Sequence, residues 1–374
     1  MPATVVIVGG GYAGITAAQA LDDVADVVLI DPKDTFVHNV ASLRAVVAPE
    51  WADYMFLPYE GLLKHGTVMQ DWVVSVDSRG VWLVSGNRIN ADYIIIASGT
   101  SYQFPAKIFA NSALAGQRRF RRTAEQLAKV DRVLLLGAGP VGLELAGEIK
   151  AVWPDKLVTI IDPQPEILSG GFLDDVPQDL RAHIRDDLRH QLGELGVELW
   201  LGASLVDAPP VASAEAARFA GNLTTGHRIR ADMWFQCYGR QPASGILSRE
   251  LMFARRGDSK ITVNDDLRLP AQRNVFAAGD VGASGGMDTV VVAVEEATLV
   301  AEQITRLING DPDLGRYRPT QPAFLIPLGP KGGASYTPED GFLDAGTTAA
   351  YKGADLFLAP YQEKFGLEPR NPTS

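Results

Sequence analysis

One strand–glycine turn–helix–strand unit occurs twice in this chain of 374 residues. In the first copy, Thr4 to Val8 is a short apolar, β-branched run, which reads as a strand of a parallel sheet covered on both faces. Gly9-Gly10-Gly11-Tyr12-Ala13-Gly14 follows, then alanine-rich Ile15 to Leu21, which reads as a helix. Val27 to Ile30 is the next strand, closed by Asp31. The second copy runs from Arg132 to Leu136, through Gly137-Ala138-Gly139-Pro140-Val141-Gly142, to a helix over Leu143 to Lys150. Its second strand is Leu157 to Ile161, closed by Asp162. The two turns start about 128 positions apart, too far for a solenoid. The expected fold class is α/β, with two Rossmann-type domains and a small C-terminal domain.

Each glycine in the turn has a physical task. Gly9 and Gly137 allow the tight bend, Gly11 and Gly139 let backbone approach a pyrophosphate, and Gly14 and Gly142 let helix and strand pack closely. The helix N-terminus then offers free N–H groups and a positive dipole end to phosphates. Asp31, at the end of its strand, is placed to accept both ribose hydroxyls, and Lys33 follows it. Asp162 occupies the same place in the second copy, where a carboxylate would repel a 2′-phosphate. NADH is therefore favoured there, with NADPH the second candidate. Glu144, on the second helix, is expected in its first turn, near the phosphates and on the flavin side if two cofactors meet. The alternative is a carboxylate that only complements the helix dipole.

Two dinucleotide sites in one chain imply an electron relay, in which a nicotinamide donates hydride to a tightly held flavin. Chain order puts FAD at the first site. Gly279-Asp280 supports this, because an acid between an apolar strand (Asn274 to Ala278) and a long helix (Thr289 to Asn309) suits a hydrogen bond to FAD. The FAD domain is expected over 1–115 and 241–310, the NAD domain over 116–240, and a C-terminal segment over 311–374. Trp72 to Val84 alternates in polarity and reads as antiparallel strands, and Pro177 to Leu195 as an exposed helix.

Composition removes other classes. The single cysteine, Cys237, supplies neither a disulfide nor a dithiol relay, and its apolar strand marks it as a buried structural thiol. A net charge of -11 makes nucleic acid a poor partner. Neither a signal peptide nor an apolar span of membrane length is visible, so the expected location is cytoplasmic. His183 and His190 fit a solvated helix face better than a metal site. Arg118, Arg119, Arg121 and Arg122 read as a solvated helix start, with acidic lipid headgroups as the alternative. Leu356, Phe357, Leu358, Tyr361, Phe365 and Leu367 suit an acceptor-side or membrane-resting surface, or ordinary packing.

The stretch from Asp31 to Arg44, with Lys33, Asp34, Phe36, His38, Asn39, Val40, Ala41 and Leu43 in place, resembles the ferroptosis suppressor, apoptosis-inducing-factor-like branch of the flavoproteins related to pyridine nucleotide–disulfide reductases. Gly142 to Lys150, Asn274 to Asp280, Tyr317-Arg318-Pro319 and Asp355-Leu356-Phe357 extend the resemblance over nearly the whole chain. It implies an FAD-dependent NAD(P)H:quinone oxidoreductase, with a quinone as the small-molecule acceptor and peripheral membrane contact left open. Arg44 and Asp280 would contact FAD, the backbone of Val73 would meet the adenine, and His38 and Asn39 would lie near the isoalloxazine ring. The family commonly places a lysine where Asp288 stands, and its animal members carry a myristoyl anchor that Pro2 forbids here. The segment from Pro322 to Ser374 departs at many positions. A ferredoxin- or rubredoxin-type reductase, an oxidase, and an NADH-responsive redox-sensing protein remain the alternatives.

Overall fold

A computed structural model describes residues 2–370 and 372. Its first parallel elements are β1 (Thr4–Val8), α1 (Tyr12–Leu21), β2 (Asp26–Asp31), β3 (Thr67–Gln70) and β4 (Tyr93–Ile96). The second set is β5 (Arg132–Leu136), α2 (Pro140–Val152), β6 (Leu157–Asp162), β7 (Val197–Leu201) and β8 (Met233–Gln236). The chain then returns to the first module with β9 (Val275–Ala277) and α3 (Val290–Ile308). The first sheet is ordered β3-β2-β1-β4-β9 and the second β7-β6-β5-β8, and every pairing in both is parallel. The repeat read at the glycine turns thus extends to four strands wound in the same order, with β9 added to the first sheet.

The sheet strands are apolar on both faces because helices or loops cover both. Val5, Ile7, Val27 and Leu29 meet α1, while Val6, Val8, Ile30, Ile94 and Ile96 meet the antiparallel strands Val73–Asp77 and Gly80–Leu83. Helix α1 presents Ala13, Ala17 and Ala18 to Ala293, Ala297 and Ala301 of α3, and small residues on both sides let the two helices lie close. Thr289 starts α3 by accepting the Val292 N–H. Each large aliphatic side chain buried in these layers contributes about 1.5–3 kcal/mol before entropy is charged.

The chain leaves the first module after Thr100–Ser101 and returns at Gln241–Pro242, and these two segments pair antiparallel as a narrow bridge. The C-terminal segment holds structure that its sequence did not announce. Strands β10 (Phe324–Leu328), β11 (Gly332–Thr337) and β12 (Gly341–Leu343) form an antiparallel sheet on α2. Gly147 of α2 makes this contact possible, since a Cβ there would lie 2.4 Å from the Leu328 Cα. Helix α4 (Leu358–Lys364) then crosses to α1, where Gln19 donates to the Lys364 carbonyl at 2.8 Å.

Candidate functional site

Both glycine turns are built by the same hydrogen bonds. The Gly9 N–H reaches the Ile30 carbonyl and the Gly137 N–H the Ile161 carbonyl, each at 2.8 Å. One residue on, the Gly10 N–H donates to Asp31 Oδ2 at 2.6 Å and the Ala138 N–H to Asp162 Oδ2 at 2.7 Å. The other oxygens accept from Lys33 and Gln164 N–H groups, both at 2.8 Å. The two acids, expected at the ribose, therefore also fasten each turn to its strand end. Tyr59, which carries no sequence signal, donates to the Gly10 carbonyl at 3.0 Å.

Space divides the glycines by task. A Cβ on Gly14 or Gly142 would stand 1.8 or 2.0 Å from the carbonyl oxygen of Gly9 or Gly137. No heavy atom lies within 4 Å of a Cβ built on Gly11 or Gly139. These two glycines are the N-caps of α1 and α2, and neither has a side-chain cap. Open space, uncapped helical N–H groups and absent side chains fit the pyrophosphate of a dinucleotide at both turns. Helix α2 begins at Pro140, so Glu144 lies beyond the first turn and its role as a dipole partner there is corrected.

Asp280 lies in a polar cluster at the end of β9. Thr100 donates to its Oδ2 at 2.8 Å, and Lys107 Nζ donates to Thr100 Oγ1 at 2.7 Å while standing 3.4 Å from Asp280. Burial pulls the Lys107 ammonium below its usual range, and Asp280 opposes the shift. Gly279, at φ +74°, donates its N–H to Glu296 Oε2 at 2.7 Å, and Ser284 donates to the other oxygen. Glu296 is buried on α3, which raises its pKa.

A second polar chain runs beside the first turn. The Val40 N–H donates to Tyr12 Oη at 3.3 Å, and His38 Nε2 lies 2.8 Å from the Leu356 carbonyl. A carbonyl only accepts, so Nε2 carries the proton and Nδ1 accepts from Tyr12 at 3.3 Å. His38 is fully buried, and desolvation drops its pKa to about 4. Tyr361 of α4 closes over this chain, 4.9 Å from the His38 ring and stacked 5.7 Å from Phe36. Burial pushes the Tyr361 hydroxyl up to about 12. Asn39 begins the adjoining turn, and Val73 is buried at the start of its antiparallel strand.

Arg44 of the first module meets Glu148 of α2 through Nε and Nη2, at 3.0 and 2.8 Å. Its Nη1 donates to the Ala354 carbonyl at 3.2 Å, and its guanidinium lies over Trp51. Arg44 thus ties the two modules, and one N–H is left on each terminal nitrogen for the expected FAD contact. Lys352 reaches Glu144 at 3.0 and 3.2 Å and the Leu325 carbonyl at 3.1 Å. Burial raises the Glu144 carboxyl, and Lys352 counters it. Sequence reasoning missed Lys352 because its partner is 208 positions away.

A profile described as pyridine nucleotide-disulphide oxidoreductase matches residues 3–297, spanning both glycine turns and Gly279-Asp280. The chain belongs to the pyridine nucleotide-disulphide oxidoreductases. Like other members, it is an oxidoreductase of FAD and NAD(P)H. It is 26% identical to apoptosis-inducing factor homolog B of Dictyostelium discoideum, over 96% of this chain and 95% of that relative. It is 27% identical to ferroptosis suppressor protein 1 of Homo sapiens, over 87% of this chain and 86% of the relative. Its fold matches the sulfide:quinone oxidoreductase of Aquifex aeolicus with a TM-score of 0.74 at 16% identity, covering 98% of this chain and 92% of that one. The NADH complex of NDH2 from Plasmodium falciparum matches with a TM-score of 0.72 at 13% identity, over 94% and 93% of the two chains.

In this pyridine nucleotide-disulphide oxidoreductase Cys237 is buried beneath the second glycine turn, its Cβ 3.5 Å from where a Cβ on Gly142 would stand. Burial pushes that thiol up to about 12. Asp288 is not a bare negative charge but is bound by Lys260 and Arg240. Within the arginine cluster, Arg121 pairs with Asp53, Arg122 pairs with Glu215, and Arg119 lies over Phe104. Leu356, Leu358 and Phe365 are buried, so packing accounts for three of the six apolar C-terminal residues, while Phe357 and Leu367 are exposed. His183 leans on Phe342 at 4.3 Å and His190 pairs with Glu194. Among the described residues, no cluster could hold a metal ion, and no helix is long and apolar enough to cross a membrane.

Proposed function

We propose that this chain passes hydride from NADH to FAD at the first glycine turn and hands the electrons to a quinone, with no cysteine between. The observation that carries the reading is the pair of turns left open at Gly11 and Gly139, in modules tied by Arg44 and Glu148. FAD, when bound, accepts a hydride and gives up its electrons to an acceptor. The protein binds, orients and excludes water. The α1 N-terminus takes the FAD pyrophosphate, and the α2 N-terminus that of NADH. Thr100 and Lys107 hold Asp280 for the flavin, while Glu296 holds Gly279. The Val73 backbone would meet the adenine, and His38 and Asn39 would stand beside the ring.

The overall change is NADH plus one proton plus quinone to NAD⁺ plus hydroquinone. Burial keeps His38 neutral and the Val40–Tyr12–His38–Leu356 chain fixes its tautomer, which supports a dry ring-side wall with its protons fixed in place. The negative charge of Asp162 supports NADH over NADPH. The buried Cys237, set at the second turn, supports electrons leaving the flavin without a thiol step. The resemblance to ferroptosis suppressor protein 1 supports a quinone as acceptor.

Anaerobic titration of the purified flavoprotein with NADH, then with a soluble quinone, tests this. Bleaching by NADH, more efficient than by NADPH, followed by reoxidation by the quinone is the expected result. Reduced flavin that quinones leave untouched, but that a ferredoxin reoxidises, overturns the acceptor.

A further inference from the structure

The two modules are joined by ionic contacts of opposite character. Arg44 and Glu148 are both buried, so salt in solution scarcely reaches them. The second contact lies at the bridge. Asp288 Oδ2 receives Arg240 Nη2 at 2.6 Å, and Oδ1 receives Lys260 Nζ at 2.7 Å. The Asp288 side chain is 10% exposed, but that of Arg240 is 44% exposed. Mobile ions therefore screen the outer half of this triad.

The origins of the three residues give it leverage. Arg240 is the last residue before Gln241–Pro242, the returning half of the bridge, and follows Gly239 at φ +92°. Lys260 directly precedes Ile261–Thr262, which pairs with Gly282–Ala283 just past Asp280. Asp288 directly precedes Thr289, the cap of α3. One anion thus pins the incoming chain to the first module between its flavin-side loop and α3. Two cations on one carboxylate also leave a net positive charge, so loss of Arg240 leaves a neutral pair behind.

We propose that the Arg240–Asp288–Lys260 triad is an adjustable strap that sets the angle of the second module and so positions the nicotinamide for hydride delivery. Arg240 and Asp288 are positioning residues, and the inference rests on the function proposed above. Displacement of about 1 Å at a hydride donor is enough to cost an order of magnitude or more in rate. The buried Arg44–Glu148 tie acts as the fixed pivot.

The test measures flavin bleaching by saturating NADH in a stopped-flow instrument, across a range of ionic strength, for the native holoprotein, Arg240→Gln and Arg240→Lys. Native protein is expected to bleach more slowly as salt rises. Arg240→Gln is expected to bleach about tenfold more slowly at low salt and to lose the salt dependence, while Arg240→Lys retains most of both. Amide exchange read in parallel is expected to quicken in Arg240→Gln at 99–102 and 237–243. Matching salt profiles and matching exchange in native and Arg240→Gln overturn the strap. Flavin that NADH bleaches in no variant defeats the proposed function instead, and the exchange comparison still decides the strap.

Discussion

Arg44 and Glu148 stand 104 positions apart in sequence and meet as a buried ion pair between the two modules, Nη2 to Oε1 at 2.8 Å. A pair this deep is costly to break on one side, because the survivor keeps its charge without a partner. Glu148→Ala is expected to lower stability by about 3–5 kcal/mol. The double variant Arg44→Met with Glu148→Leu should recover most of that loss. Urea unfolding of the three proteins checks both, and a Glu148→Ala loss below about 1 kcal/mol would place the pair with ordinary surface contacts.

His38 gives stability a pH dependence of definite sign. Its folded pKa lies near 4 against 6.5 when free, so the unfolded chain binds the extra proton in that interval. Stability therefore falls as pH drops from 6.5 toward 4, by about 3 kcal/mol in total. His38→Gln removes the titration, and its unfolding midpoint should lose this part of the slope. Identical slopes in the two proteins would contradict the buried neutral ring.

The glycines of one turn should fail in different ways. Gly14→Ala forces a Cβ to 1.8 Å from the Gly9 carbonyl, so it should not yield folded protein. Gly11→Ala meets nothing in the protein and has an ordinary φ of -79°, so it should fold and yet lose flavin. Gly139→Ala should keep flavin and raise the KM for NADH about tenfold or more. Bound flavin per chain, melting temperature and KM separate the three outcomes.

Cys237 should be silent. With its pKa near 12, thiolate at pH 7 is on the order of one molecule in 10⁵. Iodoacetamide should leave the folded protein unlabelled, and Cys237→Ala should keep quinone-dependent NADH oxidation within about twofold. Loss of turnover in a stable Cys237→Ala protein would bring a thiol step back.

Asp162→Asn keeps an oxygen for the Ala138 N–H but removes the charge. The ratio of kcat/KM for NADPH to that for NADH should rise about tenfold. An unchanged ratio would show that this carboxylate does not read the 2′ position.

The two nucleotide turns were legible because their constraints are local. Gly9 and Gly14, or Gly137 and Gly142, answer a steric demand within six residues, and strand, helix and acid follow at short range. The long-range partnerships left no such trace. Nothing near Lys352 points to Glu144, nothing near Arg44 points to Glu148, and Asp288 looked like a misplaced charge until Lys260 and Arg240 closed on it. The partners of Arg121 and Arg122 were hidden for the same reason, since Asp53 and Glu215 arrive from distant segments. The C-terminal sheet was missed because its strands are short and interrupted by glycine and proline, and α2 rather than their own pattern stabilises them.

The wall beside the first turn draws on both ends of the chain: Phe36 and His38 from the first forty residues, and Leu356, Tyr361 and Phe365 from beyond residue 355. During synthesis the aromatic cover over the first glycine turn is made more than three hundred residues after the turn itself. If FAD sits at this turn as proposed, it would stay uncovered on one side until Phe365 clears the ribosome. Durable capture of the cofactor would then wait for that cover, and ribosome products stopped before residue 356 should emerge colourless.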